Sequence, residues 1–410
     1  MPGPQPPFEG ILLGGSRREG SGGDRRTISN PATGEPIASV AEATAEDGDR
    51  AVRLADETFR KDWRRRTPRE RAAALRRIAD AIRERADALA LLESRNVGKP
   101  LAAARGEILM GADVFEFYAG AILGFGGRTV PVSKRGTCLT LREPLGVCAG
   151  ILPWNFPFAI ATWKSAPALA MGNTAVLKPA EDTPLSALAL GDLALGAGLP
   201  PGALQVLPGA GETIGAALVV DPLVSKVSFT GSTEVGREVL RRSADGLKRV
   251  SLELGGKSAC LLFEDADLDR CLPSALWSAF DNAGQDCCSR SRFLVQRSIY
   301  ERVLSDLEAR TRAIRVGDPL DPSTEMGPLI TPAHRERVRS YVEAGEREGA
   351  RRLCGGESPT DPARARGSFL TPCLFAGARA DMRIAREEIF GPVLVAIPFE
   401  GEEEAVALAN

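Results

Sequence analysis

Residues 145–179, LGVCAGILPWNFPFAIATWKSAPALAMGNTAVLKP, decide the fold of this chain. An apolar run that ends before Pro153 is followed by a segment with helical spacing, and a second apolar run ends at Lys178. The alternation continues through ALQVLPG, SKVSFTGS and RVSLEL, each preceded by a segment long enough for a helix. Strands that alternate with helices predict an α/β fold with a parallel, doubly wound sheet. In such sheets ligands bind at the carboxyl ends of the strands.

The rest of the chain adds two further parts. Residues 126–144 interrupt the helical pattern with short Thr- and Val-rich runs around SKRG, which indicates a β-hairpin. A second series of strands and helices follows, and we assign residues 255–410 to a second α/β domain. Residues 1–125 and 145–254 then form the first domain, which is discontinuous. The final run EGEEEAVALAN predicts a helix that has barely begun where the sequence stops.

Bulk composition argues against several classes of protein. Over 410 residues the chain is 43% hydrophobic and 26% charged with a formal net charge of -2, so nothing favours nucleic acid as a partner. The N-terminal stretch lacks the regions of a secretory signal, and no apolar run is long enough to span a membrane. Eight cysteines in so long a chain do not make a secreted disulfide scaffold. We expect a soluble cytoplasmic protein.

The stretch NAGQDCCSRSR, residues 282–292, raises the question of what activates its thiols. The chain has a single histidine, His334, at the start of a charged helical pattern, where an exposed helix position is the expected role. A zinc site or a Cys/His pair would have to be built almost without imidazole, so we predict no metal site. A thiol can instead be activated by a helix N-terminus, a nearby cation or a carboxylate base.

Three further positions at the carboxyl ends of the predicted strands could carry chemistry. Glu253 ends the run SLEL before two glycines, which permit close backbone approach, although a Glu before Gly-Gly is more often an ordinary loop carboxylate. Asn155 follows ILPW and could donate to an oxyanion or satisfy turn backbone. Ser232 opens a helical pattern and could receive a phosphate on free N–H groups, but the three-glycine dinucleotide fingerprint is incomplete.

Six motifs in a fixed order resemble those of the aldehyde dehydrogenase superfamily: PWNFP, LKPAEDTP, FTGSTEVG, LELGGKS, GQDCCSRSR and EEIFGPV. The resemblance covers the chain from about residue 28 to its C-terminus. It implies oxidation of an aldehyde to a carboxylic acid with reduction of NAD. It also implies a Rossmann-like NAD-binding domain, a catalytic α/β domain and an oligomerisation hairpin, with a homo-dimer or homo-tetramer expected if the family's C-terminal segment is present.

The resemblance implies a role for each catalytic residue. Cys287 matches the nucleophile and Glu253 the general base, while Asn155 and the Cys287 backbone N–H match the oxyanion hole. The thiolate adds to the aldehyde carbon, hydride leaves to the nicotinamide, and water deprotonated by Glu253 hydrolyses the thioester. A carboxylate at this position favours hydrolysis over acyl transfer to coenzyme A.

The resemblance also implies a set of cofactor contacts. Lys178 and Glu181 match the positions that hydrogen-bond the adenosine ribose, Ser232 matches the contact to the pyrophosphate, and Glu388 and Phe390 match residues that place the nicotinamide and its ribose. The remaining cofactor-binding positions are Ile151, Pro153, Trp154, Gly211, Gly231, Gly236 and Leu254. Because Glu181 would repel a 2′-phosphate, we expect NAD in preference to NADP.

The substrate pocket is also carried over from the resemblance. Phe156, Ile160 and Trp163 match the lining of the aldehyde tunnel, and Asp286 and Cys288 flank the nucleophile. An aromatic and acidic mouth would suit a cationic aldehyde such as betaine aldehyde or an aminoaldehyde. The alternative is that Asp286 simply faces the protein.

Two other functions stay open at this point. The family pattern normally continues beyond residue 410, and the segment that follows helps to close the substrate funnel and supplies a strand for assembly. One alternative is therefore a C-terminally incomplete relative that binds the dinucleotide without turnover. The other is an enzyme that transfers the acyl group to coenzyme A.

Overall fold

The computed structural model describes residues 6–362 and 364–410. Contacts within the chain divide it into two compact units. Unit 1 comprises the chain up to Ile28, Pro36–Glu93 and Ala104–Glu253, and unit 2 comprises Ser29–Glu35, Ser94–Ala103 and Leu254–Asn410. The two short segments of unit 2 that come early in the chain have no composition that sets them apart from their neighbours.

Short strands open the chain. They are β1 (Phe8–Glu9), β2 (Ile11–Leu13), β3 (Ser16–Arg18), β4 (Arg25–Ser29) and β5 (Pro36–Ala41). β1, β5 and β4 form a small sheet in that order, whereas β2 and β3 join the large sheet of unit 1. The side chains of β2 are fully buried, which explains its unbroken apolar sequence.

A helical segment follows. Its helices are α1 (Ala45–Lys61), α2 (Pro68–Glu84), α3 (Ala86–Val97) and α4 (Leu101–Ala121). α1 and α2 both begin at a capping box, formed by Thr44 with Asp47 and by Thr67 with Glu70. Within the described part of the chain, no helix is long and apolar enough to cross a membrane.

The predicted hairpin is present but small. It consists of two-residue strands, β6 (Thr129–Val130) and β7 (Cys138–Leu139), which pair antiparallel. Its apolar side chains are exposed; Leu141, just after it, is 82% exposed.

The large sheet of unit 1 confirms the predicted alternation of strands and helices. In chain order the elements are β8 (Val147–Ile151), α5 (Pro157–Ala170), β9 (Thr174–Lys178), α6 (Leu185–Gly196), β10 (Leu204–Val206), α7 (Ala216–Val220), β11 (Val224–Gly231), α8 (Thr233–Ala244) and β12 (Arg249–Leu254). The strand order is β12-β11-β8-β9-β10-β2-β3, and β8 pairs parallel with both β9 and β11. Every residue of β8 and β9 is buried, as expected for strands covered on both faces.

The strand order reverses at β8. From β8 the chain proceeds outward through β9 and β10 on one side, then returns to place β11 on the other side. Such a reversal opens a crevice at the carboxyl ends of the two central strands. The segments after Ile151 and after Gly231 therefore meet at the edge where ligands bind in this class of sheet.

Unit 2 contains a second sheet. Its elements are β13 (Ala259–Leu262), α9 (Leu268–Phe280), β14 (Arg292–Gln296), α10 (Tyr300–Ala313), α11 (Pro332–Arg347), β15 (Arg351–Cys354), β16 (Cys373–Ala376), α12 (Arg383–Arg386), β17 (Val393–Phe399) and α13 (Glu402–Ala409). The order is β13-β14-β17-β16-β15, and only the β15–β16 pairing is antiparallel among these. The final helix expected from EGEEEAVALAN is confirmed as α13.

Between α9 and β14 the backbone makes an uncommon turn. Asn282, Ala283 and Gly284 have φ values of 49°, 56° and 68°, so three successive residues are left-handed. The next residue, Gln285, is 1% exposed and holds the turn, because its Nε2 donates to the Asn282 carbonyl at 3.0 Å. Its Oε1 accepts the Ile330 N–H at 2.9 Å. The turn is thus fixed from inside the fold.

Replacing Gly284 with alanine tests how far the fold depends on this turn. A Cβ at Gly284 would overlap the Gly391 carbonyl and would also occupy a left-handed conformation. We expect Gly284→Ala to destabilise the protein by about 2 kcal/mol or more, seen as a lower melting temperature. Gly377→Ala is the matched control, because Gly377 has φ 63° with open space around it, and only the conformational cost of about 1 kcal/mol applies. Equal effects of the two substitutions would contradict the packing argument.

Candidate active site

The segment after β8 lies at the reversal of the strand order. Pro153, Trp154, Asn155 and Phe156 connect the strand to α5, and the Leu152 N–H donates to the Lys178 carbonyl at 2.9 Å. Asn155 is 4% exposed, whereas the other three residues of the connection are half-buried. Its side chain is therefore buried at the carboxyl edge of the sheet.

Two side chains farther along α5 belong to the predicted aldehyde tunnel. Ile160 lies in the first turn and is half-buried, and its N–H donates to the Phe156 carbonyl at 3.0 Å. Trp163, one turn later, is 49% exposed. A tryptophan this exposed offers an aromatic surface to a ligand or to another part of the protein.

A cavity of about 800 Å³ lies in unit 1 beside the ends of β8 and β11. Among the residues carried over as cofactor contacts, Ile151, Glu181 and Gly211 line it. The Lys178 ammonium and the Gly211 N–H both donate to Glu181 Oε1, at 2.8 and 2.6 Å. Lys178 thus influences the cavity indirectly, because it binds the Glu181 carboxylate that lines it.

Glu181 keeps its negative charge in this cavity. Burial alone would raise the pKa of its carboxyl, but the charge of Lys178 and the two hydrogen bonds outweigh burial and bring the pKa below its usual value. The side chain is 33% exposed, so the anchored carboxylate can still accept hydrogen bonds from a ligand. Apolar walls from Ile151, Val219 and Phe229 complete a site that fits the adenosine half of a dinucleotide.

In the turn into α8, the Ser232 side chain is engaged with the backbone of its own helix. The Ser232 hydroxyl accepts the Val235 N–H at 3.3 Å, so this side chain serves as the helix cap. Gly231 leaves room for the Phe229 ring, which a Cβ would overlap, and Gly236 is buried in the first turns of the helix. The three residues shape the edge of the crevice, and the free backbone N–H groups of a helix start suit a phosphate.

Sequence reasoning missed several residues of this cavity. Val235, Glu238 and Arg242 line it from one face of α8, and their helical spacing is the signal that could have found them. Arg26 also lines it and forms an ion pair with Glu42 at 2.6 Å. It comes from β4, far away in the sequence, and no local pattern marks it.

A second cavity in unit 1, of about 320 Å³, contains Glu253. Glu253 is exposed, and Trp163 and two lysines line the same space. Lys164 donates to Ser228 Oγ at 2.9 Å and Lys226 to Ser251 Oγ at 2.5 Å.

Lys164 is electrostatically coupled to Glu253. Burial lowers the pKa of the Lys164 ammonium to about 8, against the opposing effect of the Glu253 carboxylate. Neither lysine belongs to a sequence motif that marks a pocket. Lys164 follows Trp163 directly, but one basic residue in an apolar helix gives little signal of a pocket.

In unit 2 the buried Gln285 leads into Asp286, Cys287 and Cys288. Asp286 Oδ1 accepts the Cys288 N–H at 2.9 Å, and the two sulfur atoms lie 3.8 Å apart. Cys287 is half-buried and Cys288 exposed. Burial, together with Cys288 and Asp286, raises the pKa of the Cys287 thiol to about 12. The Cys287 thiol is therefore protonated near neutral pH. A base has to remove its proton before the sulfur can react.

Glu388 and the single histidine frame another part of unit 2. Glu388 Oε1 accepts the Gly256 N–H at 3.3 Å and lies over Gly255, where a Cβ would overlap the carboxylate. Burial raises the pKa of Glu388. The close backbone approach expected from the two glycines after Glu253 is made here, to Glu388.

His334 lies in helix α11 as predicted, but it is half-buried rather than exposed. Its ring Nε2 donates to the Phe390 carbonyl at 2.7 Å, and the two rings pack edge to face. Phe390 has φ 60°, a left-handed conformation that is strained for a bulky residue. Burial lowers the pKa of His334, so the imidazole stays neutral and holds the Phe390 backbone.

The predicted site residues fall into two groups by unit. Asn155, Glu253 and the cofactor positions from Ile151 to Gly236 belong to unit 1. Asp286, Cys287, Cys288, Leu254, Glu388 and Phe390 belong to unit 2.

Comparison with known proteins identifies the family. The model of the aldehyde dehydrogenase family matches residues 18–410. HpcC from Thermus thermophilus is 44% identical with a TM-score of 0.96, over 99% of this chain and 79% of that chain. The NAD+ complex of an aldehyde dehydrogenase from Bacillus cereus is 40% identical with a TM-score of 0.95, over 98% of this chain and 82% of that chain.

A third similar structure is betaine aldehyde dehydrogenase from Staphylococcus aureus in complex with NAD+. It is 36% identical with a TM-score of 0.96, over 98% of this chain and 80% of that chain. These matches confirm the predicted fold class, cofactor and reaction. This chain belongs to the aldehyde dehydrogenase family, and its reaction is the oxidation of an aldehyde with NAD.

Proposed function

We propose that Cys287 is the nucleophile of this reaction, that Glu253 is the general base and that Asn155 donates to the oxyanion. The presentation of Cys287 carries the proposal: a half-buried thiol follows directly on a turn that the buried Gln285 amide holds in place. The single imidazole of the chain is engaged with the Phe390 carbonyl, so a carboxylate is the fitting base for the water that hydrolyses the thioester.

Each proposed residue has a definite task. A base removes the proton from the Cys287 thiol, and the thiolate adds to the aldehyde carbon. The Asn155 amide and the Cys287 N–H stabilise the oxyanion, a contact worth about 2.7 to 4 kcal/mol per donor. NAD, held by residues such as Glu181 and Glu388, would supply the acceptor for the hydride. The thioester that remains on Cys287 is hydrolysed by water that the exposed Glu253 carboxylate deprotonates.

The proposed cofactor contacts explain a preference for NAD over NADP. Glu181 is ionised and anchored by Lys178 and Gly211, and an anchored carboxylate accepts ribose hydroxyls. A 2′-phosphate at the same place would meet a fixed negative charge. Glu388 and Phe390 remain proposed for the nicotinamide half.

The class of aldehyde stays a prediction. An exposed Trp163 would favour a cationic aldehyde, but Lys164 and Lys226 line the cavity that Trp163 shares with Glu253. Positive charge in that cavity disfavours a cationic substrate there, whereas a neutral aldehyde meets no such repulsion.

Assembly into a homo-dimer or homo-tetramer is also a proposal. The hairpin and the residue that follows it expose Val130, Leu139 and Leu141, of which Leu141 is 82% exposed. Exposed apolar patches of this kind mark interaction surfaces. Light scattering coupled to size-exclusion chromatography gives the mass, and a monomer would contradict assembly.

Replacing the nucleophile separates chemistry from cofactor binding. We expect Cys287→Ala to abolish NADH formation, because no thiolate remains to add to the aldehyde, and to change NAD affinity by less than about twofold. Absorbance of NADH and a binding titration measure the two effects. Cys271→Ala, which removes a half-buried cysteine in α9, is the control and should retain turnover. Turnover by Cys287→Ala would overturn the assignment.

Replacing the base tests the hydrolytic step. Glu253→Gln cannot deprotonate water, so we expect the steady-state rate to fall by about 100-fold while a burst of NADH from thioester formation survives. Stopped-flow absorbance resolves the two phases, and Glu84→Gln, at an exposed carboxylate of α2, is the control. A lost burst with an unchanged steady state would contradict the role. Turnover that depends on added coenzyme A would indicate acyl transfer.

Removing the charge of Glu181 should relax cofactor preference. We expect Glu181→Gln to raise the ratio of kcat/KM with NADP to that with NAD by about tenfold or more. Because the pKa of Glu181 is lowered and a phosphate loses its second proton near pH 6, the wild-type preference should not change between about pH 7.5 and pH 9. Glu212→Gln, at another carboxylate that lines the same cavity, is the control. A pH-dependent preference in the wild type would contradict the electrostatic account.

A further inference from the structure

Asp286, Cys287 and Cys288 present three metal-ligating groups at one place. One carboxylate oxygen and the two sulfur atoms all lie within 4.8 Å of one another. Asp286 accepts the Cys288 N–H, which folds the segment so that consecutive side chains gather on one side of it. Side chains of adjacent residues seldom converge in this way in extended backbone, where they point to opposite faces.

The distance between the sulfur atoms is compatible with a shared metal ion. Two thiolates bound to one tetrahedral Zn²⁺ at about 2.3 Å each are about 3.8 Å apart. Sγ of Cys287 and Sγ of Cys288 are 3.8 Å apart. A disulfide would require the sulfur atoms to approach to about 2.05 Å and would also require an oxidant. Binding of a cation requires neither this closer approach of the sulfur atoms nor an oxidant.

The chemistry of the groups selects the ion. Thiolates are soft ligands and favour Zn²⁺ and its heavier relatives, whereas Mg²⁺ and Ca²⁺ require oxygen ligands. The prediction that a metal site is unfavourable rested on the single histidine. Two thiolates and a carboxylate, with water in the fourth position, make a tetrahedral set without imidazole.

We infer that Asp286, Cys287 and Cys288 form a reversible inhibitory site for a thiophilic divalent cation of the Zn²⁺ class. Binding is an exchange of ions: one Zn²⁺ displaces the protons of two thiols, which pass to solvent, and two Zn–S bonds form without oxidation. A Cys287 sulfur bonded to the cation cannot add to an aldehyde. The inhibition rests on the proposed role of Cys287, whereas the binding rests only on the geometry of the three residues.

Binding is tested first, without reference to activity. Cd²⁺ is titrated into the full chain while sulfur-to-metal absorbance in the ultraviolet is followed, and equilibrium dialysis gives the stoichiometry. We expect one tightly bound ion per chain. Cys288→Ser, at an exposed position where the smaller oxygen ligand is tolerated, should weaken binding by about tenfold or more, and Asp286→Asn should weaken it less.

A second pair of cysteines supplies the matched control. Cys260 and Cys271 together line a different cavity of unit 2. Cys271→Ser should bind Cd²⁺ as the wild type does. If Cys271→Ser lost the ion and Cys288→Ser kept it, the site would be assigned to the other pair and the inference overturned. The absence of any tightly bound ion in the wild type would overturn it as well.

Inhibition is tested next on the same variants. Micromolar Zn²⁺ should suppress NADH formation by the wild type, a chelator should restore it, and Mg²⁺ at the same concentration should have no effect. Cys288→Ser, compared with its own metal-free rate, should need about tenfold more Zn²⁺ for half inhibition. An ion that binds at Cys287 and Cys288 without slowing turnover would leave the site in place but overturn both its inhibitory role and Cys287 as the nucleophile.

Discussion

The buried amide of Gln285 is the interaction on which the reactive segment depends. It donates to the Asn282 carbonyl and accepts from the Ile330 N–H, so one side chain joins the turn to the loop that precedes α11. Left-handed backbone at Ala283 costs free energy, of the order of 1 kcal/mol, and persists only where the surroundings fix it. With Gln285 in place, Asp286 to Cys288 emerge at a defined point of unit 2 and in a defined direction.

A second constraint is the reversal of strand order at β8. It opens the crevice that receives the segment after Ile151 and the turn into α8. The same crevice borders the cavity that Glu181 lines, and Glu181 is fixed there by Lys178 from the end of β9. Glu181 itself lies in the turn after β9, and its hydrogen bonds to Lys178 and Gly211 fix the carboxylate there.

Much of this architecture follows from the sequence, because buried parallel strands have to be uniformly apolar. The runs that end at Ile151 and Lys178 predicted β8 and β9 nearly to the residue, and the final helix was also predicted. Sequence patterns failed where the decisive contact joins distant residues. Arg26 reaches the cavity beside Glu181 from β4, and His334 bonds to the Phe390 backbone. Neither contact corresponds to a periodic pattern in the sequence.

The left-handed turn was missed for a different reason. Its sequence, Asn-Ala-Gly, contains one glycine, and local rules predict one left-handed residue rather than three. The alanine is driven into that conformation by tertiary contacts, since Ala283 is 2% exposed and packs in the core of unit 2. Propensity is a weak guide wherever burial of this kind decides the backbone.

The hydrogen bond that the single histidine makes affects which group can take the proton of the Cys287 thiol. His334 is neutral and bound to a backbone carbonyl, so no imidazole is available to share a proton with Cys287. Burial, Cys288 and Asp286 all hold the thiol in its protonated form. A protonated thiol is a poor nucleophile and is slow to oxidise, which protects it between turnovers. Reactivity then requires a base that removes the thiol proton, and a soft metal ion bound to the same sulfur would block that step.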